Sequence, residues 1–228
     1  MHYPEKFQNK SRLHYYSVLN NSIEINSSFY KIPQSKTVLN WANEVPENFR
    51  FTFKVFKEIT HLKQLAFSAN DVKNFMNVVA NVGNKKGSLL IQFPPSIDVK
   101  YLKQIDRVLA EFRINDLENE WDFAVEFRHR SLYCEECYDV LEQNAMTMVL
   151  HDKAKVQSPI IAQGEDFVYL RFHGPLGDYR GTYDDITLSE YVVLIAEWLE
   201  MDKRVYVYFN NTMGNVYANL RTLREMLI

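Results

Sequence analysis

Residues Asp122–Asp152 read DFAVEFRHRSLYCEECYDVLEQNAMTMVLHD: a short β-branched and aromatic run ending in charge, a longer segment, then a second apolar run ending in His-Asp. Strand, crossover and strand without a hairpin turn specify parallel pairing, because a tight turn cannot bring the chain back to a parallel partner. The same alternation extends in both directions. Strands are predicted at Ser22–Ser27 (SIEINS), Phe49–Val55 (FRFTFKV), Ser88–Phe93 (SLLIQF), Asp122–Arg128, Met146–Asp152, Phe167–Gly174 (FVYLRFHG) and Val205–Asn211 (VYVYFNN). Helical spacing predicts helices at Thr37–Val45, Ala69–Val82, Val99–Phe112, Leu188–Met201 and Ala218–Leu227, and Pro94-Pro95 closes the strand before it.

Parallel strands in this number fit a TIM-like (β/α) barrel or an open doubly wound sheet. A dinucleotide-binding sheet calls for a glycine-rich phosphate turn after its first strand, and this chain has seven glycines and no G-x-G-x-x-G, so the barrel is favoured. A length of 228 residues, with 46% hydrophobic and 24% charged residues, suits one α/β domain over 1–228, and no repeat or linker divides it. The net charge of −3 shows no basic stripe and argues against nucleic acid as the main partner. The opening MHYPEKFQNKSR has no apolar signal region, and no later run reaches the roughly 18 apolar residues of a membrane span. The expectation is a cytoplasmic protein with no membrane partner. Cys134 and Cys137 form one C-x-x-C, half of a tetrahedral metal site, with two glutamates between the thiols that oppose thiolate formation; they read as two reduced thiols at a helix start.

Each predicted strand ends in polar residues, where barrel enzymes place their chemistry. Alternation aims Glu24 with Asn26, Glu126 with Arg128, and Arg171 with His173 each toward one face. Glu24, Lys54, Glu126, Arg128, Asp152, Arg171 and His173 are expected to converge in one pocket, with His61, Gln92, Asn210 and Asn211 as further ligand-binding residues. Arginine forks suit carboxylate or phosphate, and a carboxylate beside a histidine suits acid/base work, so Glu126 with His173 is the preferred catalytic pair and Asp152 a third catalytic candidate. The loop Gly174–Tyr183 (GPLGDYRGTY) offers Tyr179 and Arg180 as a cover, and Asn211 or Thr212 is placed to cap a following helix. No cofactor is predicted. A divalent metal held by Glu24, Glu126, Asp152 and a histidine is the sharper alternative, against which Arg128 would compete for Glu126.

The stretches VLNNSIEINSSFYKIPQSKTVLNWANEVPENFRFTFKVFKEITH, GSLLIQFPPS, FAVEFRHRSL, FVYLRFHGPLGDYRGTY and VYVYFNNTMGNVYANL, in this order over nearly the whole chain, resemble the YecE-like family, domain of unknown function 72. The resemblance implies a TIM-like barrel with a polar C-terminal face and implies no reaction, so the roles above rest on the residues. The C-x-x-C pair departs from the family pattern. So does the start: the family's first strand is missing, Tyr3-Pro4-Glu5 resembles the tail of its loop, and Met1–Gln8 is too short and Pro-interrupted to replace a buried strand. A truncation that leaves SIEINS and VYVYFNN apart is the favoured expectation, with another segment or chain filling the gap as the alternative.

Two function classes follow. The first is an enzyme, a hydrolase, lyase or isomerase without redox cofactor, that acts on a small anionic metabolite (phosphate or carboxylate). The second is a module that binds a metabolite, a peptide or a nucleic-acid end in the same cleft, with Phe29, Tyr30 and Tyr133 as stacking surfaces. A divalent-metal-dependent hydrolase stands third. The oligomeric state is not specified by these residues.

Overall fold

The computed structural model describes residues 7–161 and 166–228. Its strands are β1 (Ser22–Ile25), β2 (Arg50–Lys54), β3 (Lys86–Gln92), β4 (Asp122–Glu126), β5 (Thr147–His151), β6 (Phe167–Phe172) and β7 (Arg204–Phe209). Its helices are α1 (Arg12–Leu19), α2 (Ser35–Asn43), α3 (Lys57–Thr60), α4 (Ala69–Val79), α5 (Leu102–Ile114), α6 (Glu135–Gln143), α7 (Asp185–Glu200) and α8 (Val216–Met226). The chain divides into two compact units, one reaching to Gln92 and including Arg107–Phe123, the other formed by Phe93–Asp106 and Ala124–Ile228.

In the first unit β1, β2 and β3 lie side by side in chain order, all parallel, with Glu24 opposite Thr52 and Lys54 opposite Leu90. The β2–β3 register shifts between Phe51 and Phe53. Gly87 sits at that irregularity, where a Cβ would come 2.9 Å from the Phe51 carbonyl oxygen, so close backbone approach requires glycine there. Phe49, Phe51, Phe53 and Trp121 pack as a chain of rings with centroids 5.3–6.1 Å apart. Val72, Phe75, Met76 and Val79 seal the buried stripe of α4, recurring at helical spacing. That helix ends three residues before the predicted Val82, because the chain turns into a 3-10 segment that passes through Gly83 at φ 62°.

In the second unit β5, β6 and β7 are parallel neighbours in chain order, with Val149 opposite Tyr169, His151 opposite Arg171, and Phe172 opposite Phe209. Ala124 of β4 pairs with Thr147 of β5. Phe172 stacks on Phe209 at 4.7 Å and meets Tyr191 of α7 edge-on at 4.6 Å, while Tyr169 lies against Tyr206 and Tyr208.

The structured strands stop one to two residues short of most predicted C-terminal ends, so Asn26, Arg128, Asp152, His173, Asn210 and Asn211 sit just beyond their strands. Helix α1 was not predicted; Ser11 caps it by accepting from the His14 amide at 3.0 Å. The expectation for Asn211 or Thr212 as a helix cap is corrected: α8 begins after Asn215, which makes no side-chain capping bond. The reading of Tyr3-Pro4-Glu5, and that of Met1–Gln8 as far as Lys6, lies outside the described residues. Phe7 packs on Tyr15 at 4.7 Å, and among the described residues none before Ser22 belongs to a strand.

Candidate functional site

Glu126, the last residue of β4, is fully buried, yet it is ionised. Burial alone would raise its pKa, but the guanidiniums of Arg171 and Arg128 hold it well below the usual carboxylate range. Each arginine makes an ion pair with one of its oxygens. Both arginines are nearly as buried, at 5% exposure for Arg128 and 4% for Arg171, so water screens none of these charges.

Arg128 also reaches His173, with Nη2 2.9 Å from the imidazole Nε2. A guanidinium can only donate, so Nε2 accepts and the ring proton sits on Nδ1. That nitrogen faces Asp152 Oδ1 at 3.3 Å, close enough for attraction but outside hydrogen-bond geometry. Burial pushes the His173 pKa down against the pull of Asp152 and Glu126, which keeps the ring neutral. Asp152 is itself fixed: Oδ1 accepts from the His173 amide at 2.6 Å, and Oδ2 accepts from the Tyr183 hydroxyl. Tyr183 in turn accepts from the Gly174 amide at 2.6 Å. The expected Glu126–His173 pairing is thus revised, because Arg128 lies between them and the carboxylate facing the histidine is Asp152.

Besides His173 Nδ1, two buried donors in this region have no hydrogen-bond partner, Arg128 Nε and Asn210 Nδ2. Asn210 follows β7 opposite the end of β6, its amide donating to the Phe172 carbonyl at 2.7 Å. Asn211 is committed elsewhere, donating to the Gly181 carbonyl at 2.9 Å and to Asn219 at 3.2 Å. Arg180 is exposed in the Gly174–Tyr183 loop, where it forms a bridge with Met213. Tyr179 of that loop lies edge-on to His173 at 5.3 Å and receives the ammonium of Lys153 over its ring at 4.0 Å.

The first unit holds a separate set. Lys54 donates to Gln92 Oε1 at 2.8 Å and lies 4.2 Å from the Phe29 ring centre. Gln92 Nε2 stands 3.4 Å from His61 Nε2, and Thr60 holds the other imidazole nitrogen at 2.8 Å. Burial and the Lys54 charge bring the His61 pKa down to about 4. Asn26 donates to Glu24 at 2.9 Å. Of the seven residues expected to converge, the structure brings Glu126, Arg128, Asp152, Arg171 and His173 together in the second unit, while Glu24 and Lys54 belong to the first.

Among the described residues no group of three or more His, Cys, Asp or Glu side chains is placed to hold a metal ion. In the second unit the cause is visible, since the oxygens of Glu126 are ion-paired to arginines and those of Asp152 are hydrogen-bonded. Among the described residues no helix is long and apolar enough to cross a membrane.

The profile of the family described as "Protein of unknown function DUF72" matches residues 1–228. The chain belongs to the DUF72 family. The UPF0759 protein YecE of Escherichia coli K12 is 26% identical to it over 113 residues, 50% of this chain and 40% of that protein. The crystal structure of a DUF72 family protein from Thermotoga maritima MSB8 superimposes with a TM-score of 0.83 at 25% identity, covering 99% of this chain and 92% of that one. A xylose isomerase domain protein from Alicyclobacillus acidocaldarius covers 98% of this chain and 96% of its own at a TM-score of 0.53 and 11% identity, a likeness of fold alone. This DUF72 chain therefore has an α/β fold of the TIM-barrel type, with seven parallel strands among the described residues.

Sequence reasoning missed two neighbours of the cluster, His151 and Tyr183, and named a third, Tyr133, only as a stacking surface. His151 lies edge-on to His173 at 5.7 Å, with its Nδ1 accepting from the Lys153 amide and its Nε2 3.0 Å from the Phe127 carbonyl. Burial brings its pKa down to about 4, so it too is neutral, in the opposite tautomer. The His-Asp pair ending β5 carried that signal, but only Asp152 was chosen from it. The bonds from Tyr133 to His151 and from Tyr183 to Asp152 gave no sequence signal, because loop side chains that fold back obey no period.

Proposed function

We propose that this DUF72 protein binds a small anionic metabolite, phosphate or carboxylate, at the Arg128–Arg171–His173 end of its second unit, and acts on it by acid/base chemistry. The observation that carries the reading is Arg128, a buried guanidinium with Nη2 held between Glu126 and His173 and Nε left without a partner. A buried unmade donor is costly, by about 1–3 kcal/mol, and an anion oxygen accepting from it relieves that cost. Glu126 anchors the arginines and, being held ionised, is unsuited to proton transfer near neutral pH. The acid/base group is then His173, whose neutral ring presents Nε2 once a ligand draws Arg128 away, while Asp152 steadies the Nδ1 proton.

A thermal-shift screen of phosphorylated and carboxylated metabolites identifies the ligand class. A hit is then followed for turnover by NMR with wild type and His173→Gln. Turnover lost in the variant with binding retained supports catalysis. Binding by the wild type without any chemical change in the ligand favours the second reading, a metabolite-binding module. Its own support is that Glu126, the most buried carboxylate of the cluster, serves as a fixed counter-charge.

A further inference from the structure

The C-x-x-C pair has no part in the anion site, and its geometry is more specific than its spacing. Cys134 is the N-cap of α6 and Cys137 lies in the first turn, so both thiols gather at the helix's amino end. Both are free, with their sulfurs 3.5 Å apart. A disulfide needs about 2.05 Å, so closure asks for roughly 1.5 Å of approach, within reach of side-chain rotation. The two sulfurs differ in access. Cys137 is buried, and burial together with Cys134 pushes its pKa up, whereas Cys134 is part-exposed.

Tyr133 precedes Cys134 and Tyr138 follows Cys137, and these two rings line a surface depression of about 660 Å³ with Arg130, Lys155, Gln157 and Ser158. Its charged residues are the cations Arg130 and Lys155, both exposed. Glu135 faces another depression, beside Asp139 and Glu142. The surface bordering the dithiol on the Tyr133 side therefore attracts a reagent with negative charge.

We propose that Cys134 and Cys137 are a reversible dithiol–disulfide pair whose oxidant is a small disulfide bearing carboxylates, of the glutathione class, drawn in by Arg130 and Lys155. The Cys134 thiolate attacks one sulfur of the reagent, forming a mixed disulfide and releasing one reagent thiol. Cys137, as its proton leaves to solvent, attacks the Cys134 sulfur, closes the internal disulfide and releases the second reagent thiol. Two protein thiols are oxidised and one reagent disulfide is reduced to two thiols.

Oxidised glutathione added to the folded chain, followed by acid quenching, intact mass measurement and thiol counting, tests the pair. The wild type should lose both thiols and two hydrogens as a monomer, and dithiothreitol should restore them. Cys137→Ser should accumulate a glutathionyl adduct on Cys134, and Cys134→Ser should react at least about tenfold more slowly because its remaining thiol is buried. Arg130→Glu with Lys155→Glu should slow oxidation by glutathione disulfide but not by neutral hydroxyethyl disulfide. Retention of both thiols by the wild type, a disulfide only between chains, or equal labelling of the two serine variants would overturn the proposal.

Discussion

Glu126 carries two arginines at near-zero exposure, and its removal shows which term dominates there. In Glu126→Gln two buried cations lose their counter-charge, and a loss of about 3–5 kcal/mol is expected in urea unfolding, the size seen when one partner of a buried ion pair is deleted. A loss under about 1 kcal/mol would mean that water reaches the arginines. The histidines add a pH dependence. His151 and His173 have folded pKa values pushed below the ordinary 6.5, His151 to about 4, so the unfolded chain takes up protons first as pH falls. Their contribution is fully present above pH 6.5 and is lost as pH falls through the His151 value near 4. The depressed Glu126 pKa acts with the same sign at lower pH. Unfolding midpoints between pH 7 and 4 should therefore decline, with a shallower slope in His151→Gln. Alternation along β4 and β6 made the side-sharing of Glu126 with Arg128 and of Arg171 with His173 legible in the sequence. The contact from Arg128 to His173 was not, because it joins residues 45 positions apart.

At the scale of elements, the loops after β6 and β7 act as one structure. Met213 donates to the Tyr179 carbonyl at 3.2 Å, and Asn219 exchanges hydrogen bonds with both the amide and the carbonyl of Tyr183. Gly214 lies where these loops touch, and a Cβ there would come within 1.8 Å of the Gly181 carbonyl oxygen. Gly214→Ala should force them apart, seen as loss of amide-exchange protection at Met213 while the β5 and β6 amides keep theirs. Unchanged protection would show that the loops yield without separating. In the first unit Lys85 is buried and donates to the Ala42 and Val45 carbonyls at 2.7 and 2.8 Å, which closes the end of α2. Lys85→Met leaves those carbonyls unpaired and should cost about 1–3 kcal/mol in the same urea assay. The strands and α2, α4, α5, α7 and α8 were legible because burial imposes a period. Helix α1 was not, since only Ser17 of its eight residues is buried and no apolar stripe announces it.

For the whole molecule, strand–crossover repetition and the lack of a glycine-rich phosphate turn were enough to select the TIM-type fold, which the DUF72 relatives share. The functional reading was legible only as an inventory of charges. Which charge neutralises which depends on register and loop closure: Asp152 binds Tyr183 and the His173 amide, and Glu126 is consumed by arginines. What distinguishes a ligand site from an internal ion network is the unpartnered Arg128 Nε. Arg128→Lys keeps a positive charge beside Glu126 and removes the fork that Nε and the terminal nitrogens would present to an anion. Calorimetric titration of wild type and Arg128→Lys with inorganic phosphate, at matched ionic strength and with folding checked by thermal melting, is the most direct test. Saturable binding by the wild type that weakens at least about tenfold in a folded Arg128→Lys protein is expected. Equal affinity in the two proteins, or no saturable binding to the wild type, would contradict an anion site at Arg128.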